Sequence, residues 1–136
     1  MSMRDYDMIT LRGTTNGSGD ATVDSEMPVT GEIMHVQIEG AALTDSANLV
    51  LSALLTEVAG TTEVSALLYI NHADIGNTAI DQVTPRMFAQ LNTGADMEVV
   101  AGQKTPVPYF VPGAILRAVV SAGGDTKAFC IKVWVR

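Results

Sequence analysis

Residues 122–135 read Ala122-Gly123-Gly124-Asp125-Thr126-Lys127-Ala128-Phe129-Cys130-Ile131-Lys132-Val133-Trp134-Val135. From position 128 the pattern has a period of two. Phe129, Ile131, Val133 and Val135 alternate with Ala128, Cys130, Lys132 and Trp134. A strand sends successive side chains to opposite faces, so this run has one core face. Before it stands Ala114-Ile115-Leu116-Arg117-Ala118-Val119-Val120, apolar except for Arg117. The glycines between the two runs are turn chemistry, and residues 122–126 are expected to close a hairpin.

Working towards the N-terminus, the same signal returns. Met34, Val36 and Ile38 alternate with His35, Gln37 and Glu39. Leu49, Leu51, Ala53 and Leu55 alternate with Val50, Ser52, Leu54 and Thr56, and Val64, Ala66, Leu68 and Ile70 form one more face. A short run of this type spans Asp7 to Arg12, and Val107 to Val111 is an apolar run interrupted by Pro108. Asn16-Gly17-Ser18-Gly19-Asp20, Gly40, Gly60-Thr61-Thr62, Gly76-Asn77, Asn92-Thr93-Gly94 and Gly102-Gln103-Lys104 separate the runs. Ala47, Leu51, Leu54, Leu55 and Val58 also fit helical spacing. Strand is preferred there because both neighbours read as strand and the Gly60 turn is short. The expectation is an all-β chain, an antiparallel β-sandwich that is jelly-roll-like, with at most one or two short helical turns. Those turns would lie at residues 85–91, where Pro85 suits a first helical position.

The chain has 136 residues, the size of one domain. Residues 1–28 read as an N-terminal arm and loop with room for a first strand, and residues 29–136 as the sandwich. With 47% hydrophobic and 17% charged residues the chain is not disordered. No apolar run is long enough to span a membrane, and Met1-Ser2-Met3-Arg4-Asp5-Tyr6-Asp7 lacks the apolar core of a signal peptide. Fifteen acidic against eight basic residues give −7, which disfavours nucleic acid and anionic membrane as partners. A single cysteine excludes an intramolecular disulfide and a cysteine-based zinc cluster.

The catalytic inventory is thin, and no enzyme and no cofactor are expected. His72 near Asp74 could form half of an acid–base pair, and His72, Asp74 and Asp81 a metal site, but the spacing fits no ligand pattern. A turn residue is the plainer reading of His72, and a surface or packed imidazole that of His35. Cys130 has Lys132 near it but no histidine partner in the pattern, so it reads as a small, half-buried residue. Residues 16–20 lack the acidic first and last ligands of a calcium loop. No phosphate loop or nucleophile elbow is present. Aromatics are 5%, with Trp134 the one tryptophan. The apolar run 110–116 has few charges to meet water. It suits a buried subunit interface and equally a strand covered on both faces by its own chain.

The succession of Val29-Thr30-Gly31-Glu32-Ile33-Met34-His35-Val36, Ala47-Asn48-Leu49-Val50-Leu51-Ser52-Ala53-Leu54-Leu55, Thr84-Pro85-Arg86, Val107-Pro108-Tyr109-Phe110-Val111-Pro112-Gly113-Ala114-Ile115 and the closing run 129–135 resembles the capsid decoration (cement, or head auxiliary) proteins of tailed bacteriophages. The resemblance covers residues 29–136 and rests on order and spacing. It implies a compact β-sandwich on the outer surface of the virion head, made in the host cytoplasm and bound to the phage major capsid protein as a homotrimer. On that reading the polar arm of residues 1–11, with Met3, Arg4, Tyr6 and Met8, is the expected capsid contact, and its deletion is expected to spare folding. Arg86, Pro108, Tyr109 and Phe110 are the expected subunit contact. The alternative is a phage tail or fibre module, or a carbohydrate-binding β-sandwich.

Overall fold

Twelve strands follow one another in the computed structural model, which describes residues 5–56, 64–77, 79–88, 90, 93–100 and 102–136. They are β1 (Asp7–Thr14), β2 (Ala21–Asp24), β3 (Val29–Glu39), β4 (Asn48–Thr56), β5 (Val64–His72), β6 (Asp81–Val83), β7 (Arg86–Phe88), β8 (Glu98–Val100), β9 (Gln103–Lys104), β10 (Pro106–Pro108), β11 (Phe110–Ser121) and β12 (Ala128–Val135). Antiparallel pairing orders eight of them as β1-β12-β3-β6 and β2-β11-β4-β5. The pairs nest: β1 with β12, β2 with β11, β3 with β6, β4 with β5. A long hairpin rolled up in this way is a jelly roll. Strands β7 to β10 are inserted between β6 and β11, where β7 pairs with β10 and β8 with β9.

The core lies between the two sheets. Leu11, Val36, Ile38, Ile131 and Val133 of the first sheet and Leu49, Leu51, Leu116, Ala118 and Val120 of the second are buried in one cluster. The alternation in β4 and β12 is the sequence signature of those inner faces, and β4 is the preferred strand rather than a helix.

Two strands belong to both sheets. β3 pairs through Glu32, Gly31, Thr30 and Val29 with the start of β11, and from Ile33 onward with β12. β11 in turn leaves β3 after a bulge at Gly113 and continues beside β4 and β2. Gly31 makes this corner. Its φ is +141°, and a Cβ there would lie 2.7 Å from Val135 Cγ1 and 2.8 Å from the Arg136 carbonyl oxygen. Only glycine combines that backbone with that close approach.

Four expectations are corrected. Residues 122–126 do not close a hairpin, because β11 and β12 lie in opposite sheets and the connection crosses between them. It is pinned by other loops: Thr44 N–H donates to the Gly123 carbonyl (3.1 Å), Gly123 N–H to the Gly19 carbonyl (2.8 Å) and the buried Thr15 hydroxyl to the Gly124 carbonyl (2.6 Å). Arg86-Met87-Phe88 is extended and not helical, held by its ladder with Pro106–Pro108. Met34 is only half-buried, since a register shift opposite Trp134 and Val135 turns Ile33 inward instead. A second shift between Leu51 and Ser52 buries Tyr69 next to Ile70 and leaves Leu68 exposed.

Residues 1–28 carry β1 and β2, both integral to the sandwich. β1 pairs with β12 over its whole length, and Leu11 is fully buried. Deleting residues 2–11 therefore removes core and is not a folding-neutral change. The Gly60 turn lies outside the described residues.

Candidate functional site

Two surfaces stand out, and register builds both. On the solvent side of the first sheet the ladders align Met8 with Trp134 and His35 in one row. The next row is Thr10, Lys132, Gln37 and Gln82, and the third Arg12, Cys130 and Glu39. Four adjacent strands make a face roughly 14 Å wide. His35 and Trp134 rings meet at 5.8 Å with a tilt of 44°. The imidazole is held at both nitrogens, Nδ1 to Thr84 Oγ1 and Nε2 to Gln82 Oε1, each 3.0 Å. Lys132 Nζ donates to Glu39 Oε1 at 2.9 Å, and Gln37 Nε2 donates to the same oxygen at 3.0 Å. The Lys132 hydrogen bond holds the Glu39 carboxyl below its usual range, so it is ionised at neutral pH. The face thus combines one indole with amide, ammonium and carboxylate groups already fixed in place.

The second surface is apolar. Leu67, Leu68 and Tyr69 of β5, Met87 of β7, Tyr109 between β10 and β11, and Phe110 at the start of β11 line a groove of about 240 Å³. Leu68 and Phe110 are each 54% exposed. Tyr69 donates its hydroxyl to the Phe110 carbonyl at 3.0 Å, and the Tyr69 and Tyr109 rings are 5.2 Å apart. Burial pushes the Tyr69 phenol above its ordinary pKa, which keeps it a donor.

The expected contact residues are distributed as follows. Tyr109 and Phe110 lie in this groove. Pro108 pairs with Arg86 across β10 and β7. The Arg86 guanidinium donates to carbonyls of its own chain, at Pro85 (2.8 Å), Ile33 and Met34 (both 3.4 Å). Met8 and Tyr6 are each 51% exposed, with Met8 on the indole-bearing face. Met3 and Arg4 lie outside the described residues. The sequence reading put Leu68 on a core face and named neither Leu67 nor Met87 as a contact, because the groove follows from the shift in β5 and from the strand at β7.

His72 meets Asp81 and not Asp74: Nε2 is 2.6 Å from Asp81 Oδ2. The pair ties the end of β5 in one sheet to the start of β6 in the other. Asp74 sits at φ +57° in the turn between. Among the described residues no three histidine, cysteine or acidic side chains converge on a metal position. Cys130 is buried, with Arg12 and Glu39 as its cross-strand neighbours.

No protein-family model matches this sequence, and no curated protein sequence matches it. Among solved structures the chain is similar to chitosan-binding module 1 of a chitosanase/glucanase from Paenibacillus sp. IK-5, with 11% identity, 92% of this chain and 76% of that chain covered and a TM-score of 0.48. It is similar to the family 32 carbohydrate-binding module of NanJ from C. perfringens, solved with galactose, at 9% identity, 93% of each chain and a TM-score of 0.40. It is also similar to a chain of infectious bursal disease virus, Gx strain, at 12% identity, covering 97% of this chain and 32% of that one with a TM-score of 0.39.

Proposed function

We propose that this chain is a non-catalytic β-sandwich module that holds a carbohydrate on the outer face of the β1-β12-β3-β6 sheet. The observation that carries the reading is the placement of the one tryptophan, Trp134, on that face beside His35 and next to a row of Lys132, Gln37 and Gln82. The apolar side of a sugar ring stacks on an aromatic plane, while its hydroxyls exchange hydrogen bonds with amide, ammonium and carboxylate groups. Groups that are already tied to one another lose little freedom on binding. The test is affinity electrophoresis and calorimetry of the full chain against neutral and acidic polysaccharides. Trp134→Ala is expected to weaken binding roughly tenfold or more, from about 1.4 kcal/mol of lost contact, with an unchanged circular dichroism spectrum. Binding to no glycan, or equal binding by the variant, refutes the reading.

The apolar groove favours a second reading, the virion decoration protein. Exposed Phe110 and the neighbouring Tyr109 and Pro108 would lie between subunits of a homotrimer on the outer surface of a phage head. Its test is cosedimentation with heads built from the major capsid protein.

A further inference from the structure

We propose that two copies of this chain join through the free edge of β5, extending the β2-β11-β4-β5 sheet across a two-fold axis within residues 64–68. β5 ends that sheet: it pairs with β4 on one side, and among the described residues no strand pairs with its other side. An unpaired edge offers a row of N–H and C=O groups to another strand, and natural edges are guarded by Lys, Pro, or a bulge. The bulge in β5 falls at Tyr69. Ahead of it, residues 64–68 read Val-Ser-Ala-Leu-Leu, with no charge and no proline.

Leu67 is 38% exposed and Leu68 54%. They are consecutive and project to opposite faces of the strand, so each face presents an exposed leucine at this point. Charge selects the occupant. Each copy carries −7, so two copies repel wherever their acidic surfaces face. Residues 64–71 and 105–116 contain no Asp, Glu, Lys or Arg. Arg86, which precedes Met87 in the chain, is already held by carbonyls of its own chain. Among the described residues these stretches bring no carboxylate to the contact, so like-charged copies meet there without repulsion, and they offer a charged partner no counter-charge. Antiparallel pairing of β5 with its copy is self-complementary, as a two-fold contact requires. Leu67 and Leu68 of each copy then cover apolar surface of the other beside the Met87 and Phe110 groove.

The test is the native mass of the full chain by light scattering across a concentration series, for wild type and Leu68→Lys. The side chain of Leu68 is exposed, so the substitution places a charge at the contact without opening the core. The expected result is a dimer of twice 14.3 kDa for wild type and a monomer for the variant, with equal melting cooperativity. Leu68→Cys is a second probe: with Cys130 buried, oxidation is expected to link two chains through position 68. A wild-type monomer at every concentration overturns the proposal. So does a trimer, or a dimer that Leu68→Lys leaves intact. None of these outcomes depends on glycan binding, which is read separately with Trp134→Ala.

Discussion

Replacing Gly31 by alanine tests whether β3 turns the corner between the two sheets. The backbone there has φ +141°, a conformation that costs an L residue about 1–3 kcal/mol. The new methyl would also sit 2.7 Å from Val135 Cγ1 and 2.8 Å from the Arg136 carbonyl oxygen. The valine methyl can swing away, but the carbonyl is tied. Arg136 O accepts from Glu32 N–H, and Arg136 N–H donates to the Glu32 carbonyl, both at 2.9 Å. Moving that carbonyl weakens two hydrogen bonds, each worth about 0.5–1.5 kcal/mol. The combined loss is roughly 2–6 kcal/mol, a large part of a typical domain stability of about 5–15 kcal/mol. At about 4 °C per kcal/mol for a domain of this size the melting temperature should fall by roughly 8–24 °C. Gly94→Ala is the control, since Gly94 has φ +86° and no atom within 4 Å of a new Cβ. It carries the backbone cost alone and should lose only about 1–3 kcal/mol. The assay is thermal and urea unfolding followed by circular dichroism. If Gly31→Ala is no less stable than Gly94→Ala, the collision with the C-terminal strand does not exist and the corner is misplaced.

Ser25→Ala should cost about 1–3 kcal/mol in urea unfolding, because the buried Leu116 N–H donates to Ser25 Oγ at 3.1 Å and would lose its partner. Acid should destabilise the fold. The Asp24 carboxyl is held below its ordinary 3.8 by the Arg117 guanidinium, and Glu39 below its ordinary 4.5 by Lys132. Depressed carboxylates contribute stability above those values and lose it as pH falls through them, so melting temperatures should drop from pH 5 towards pH 2, and less steeply in Arg117→Gln. His72→Ala should leave glycan binding unchanged and cost no more than about 1 kcal/mol, as a partly exposed pair does; a loss of binding would place His72 in the site.

Period-two alternation was enough to place β4, β12 and the inner faces, because each strand carries its own record of which side is dry. Pairing leaves no such record. Gly123 and Gly124 look the same in the sequence whether the chain turns back on itself or crosses to the other sheet. The choice is made by Thr15, Thr44 and Gly19, which are distant in sequence and bind that loop. Bulges are the other blind spot. One extra residue reverses the phase of a strand, so the same letters that suggested Met34 and Leu68 for the core deliver Ile33 and Tyr69. The candidate sites follow the same division. Sequence put His35 on a polar face and marked residues 108–110 as contact-prone. It could not align His35 with Trp134 and Met8, nor carry Leu67, Leu68 and Met87 to Tyr109 and Phe110, since each assembly depends on register between remote strands.

The two proposed surfaces belong to different sheets, and this has a consequence for binding. The indole-bearing face lies outside the β1-β12-β3-β6 sheet, whereas pairing through β5 extends the other one, so a dimer would keep both of its glycan faces open. A ligand with many repeats, such as a polysaccharide, could then engage both faces at once. The second contact is intramolecular and raises the apparent affinity by a factor of roughly 10²–10⁴ wherever the spacing allows it. A short oligosaccharide reaches one face and gains nothing. Leu68→Lys should therefore weaken retention on the polysaccharide and leave the affinity for the oligosaccharide unchanged, while Trp134→Ala weakens both. Calorimetry with the oligosaccharide and affinity electrophoresis with the polymer separate the cases. If Leu68→Lys weakens the two ligands equally, residue 68 acts on the binding face itself, and the separation of binding face from dimer edge is wrong.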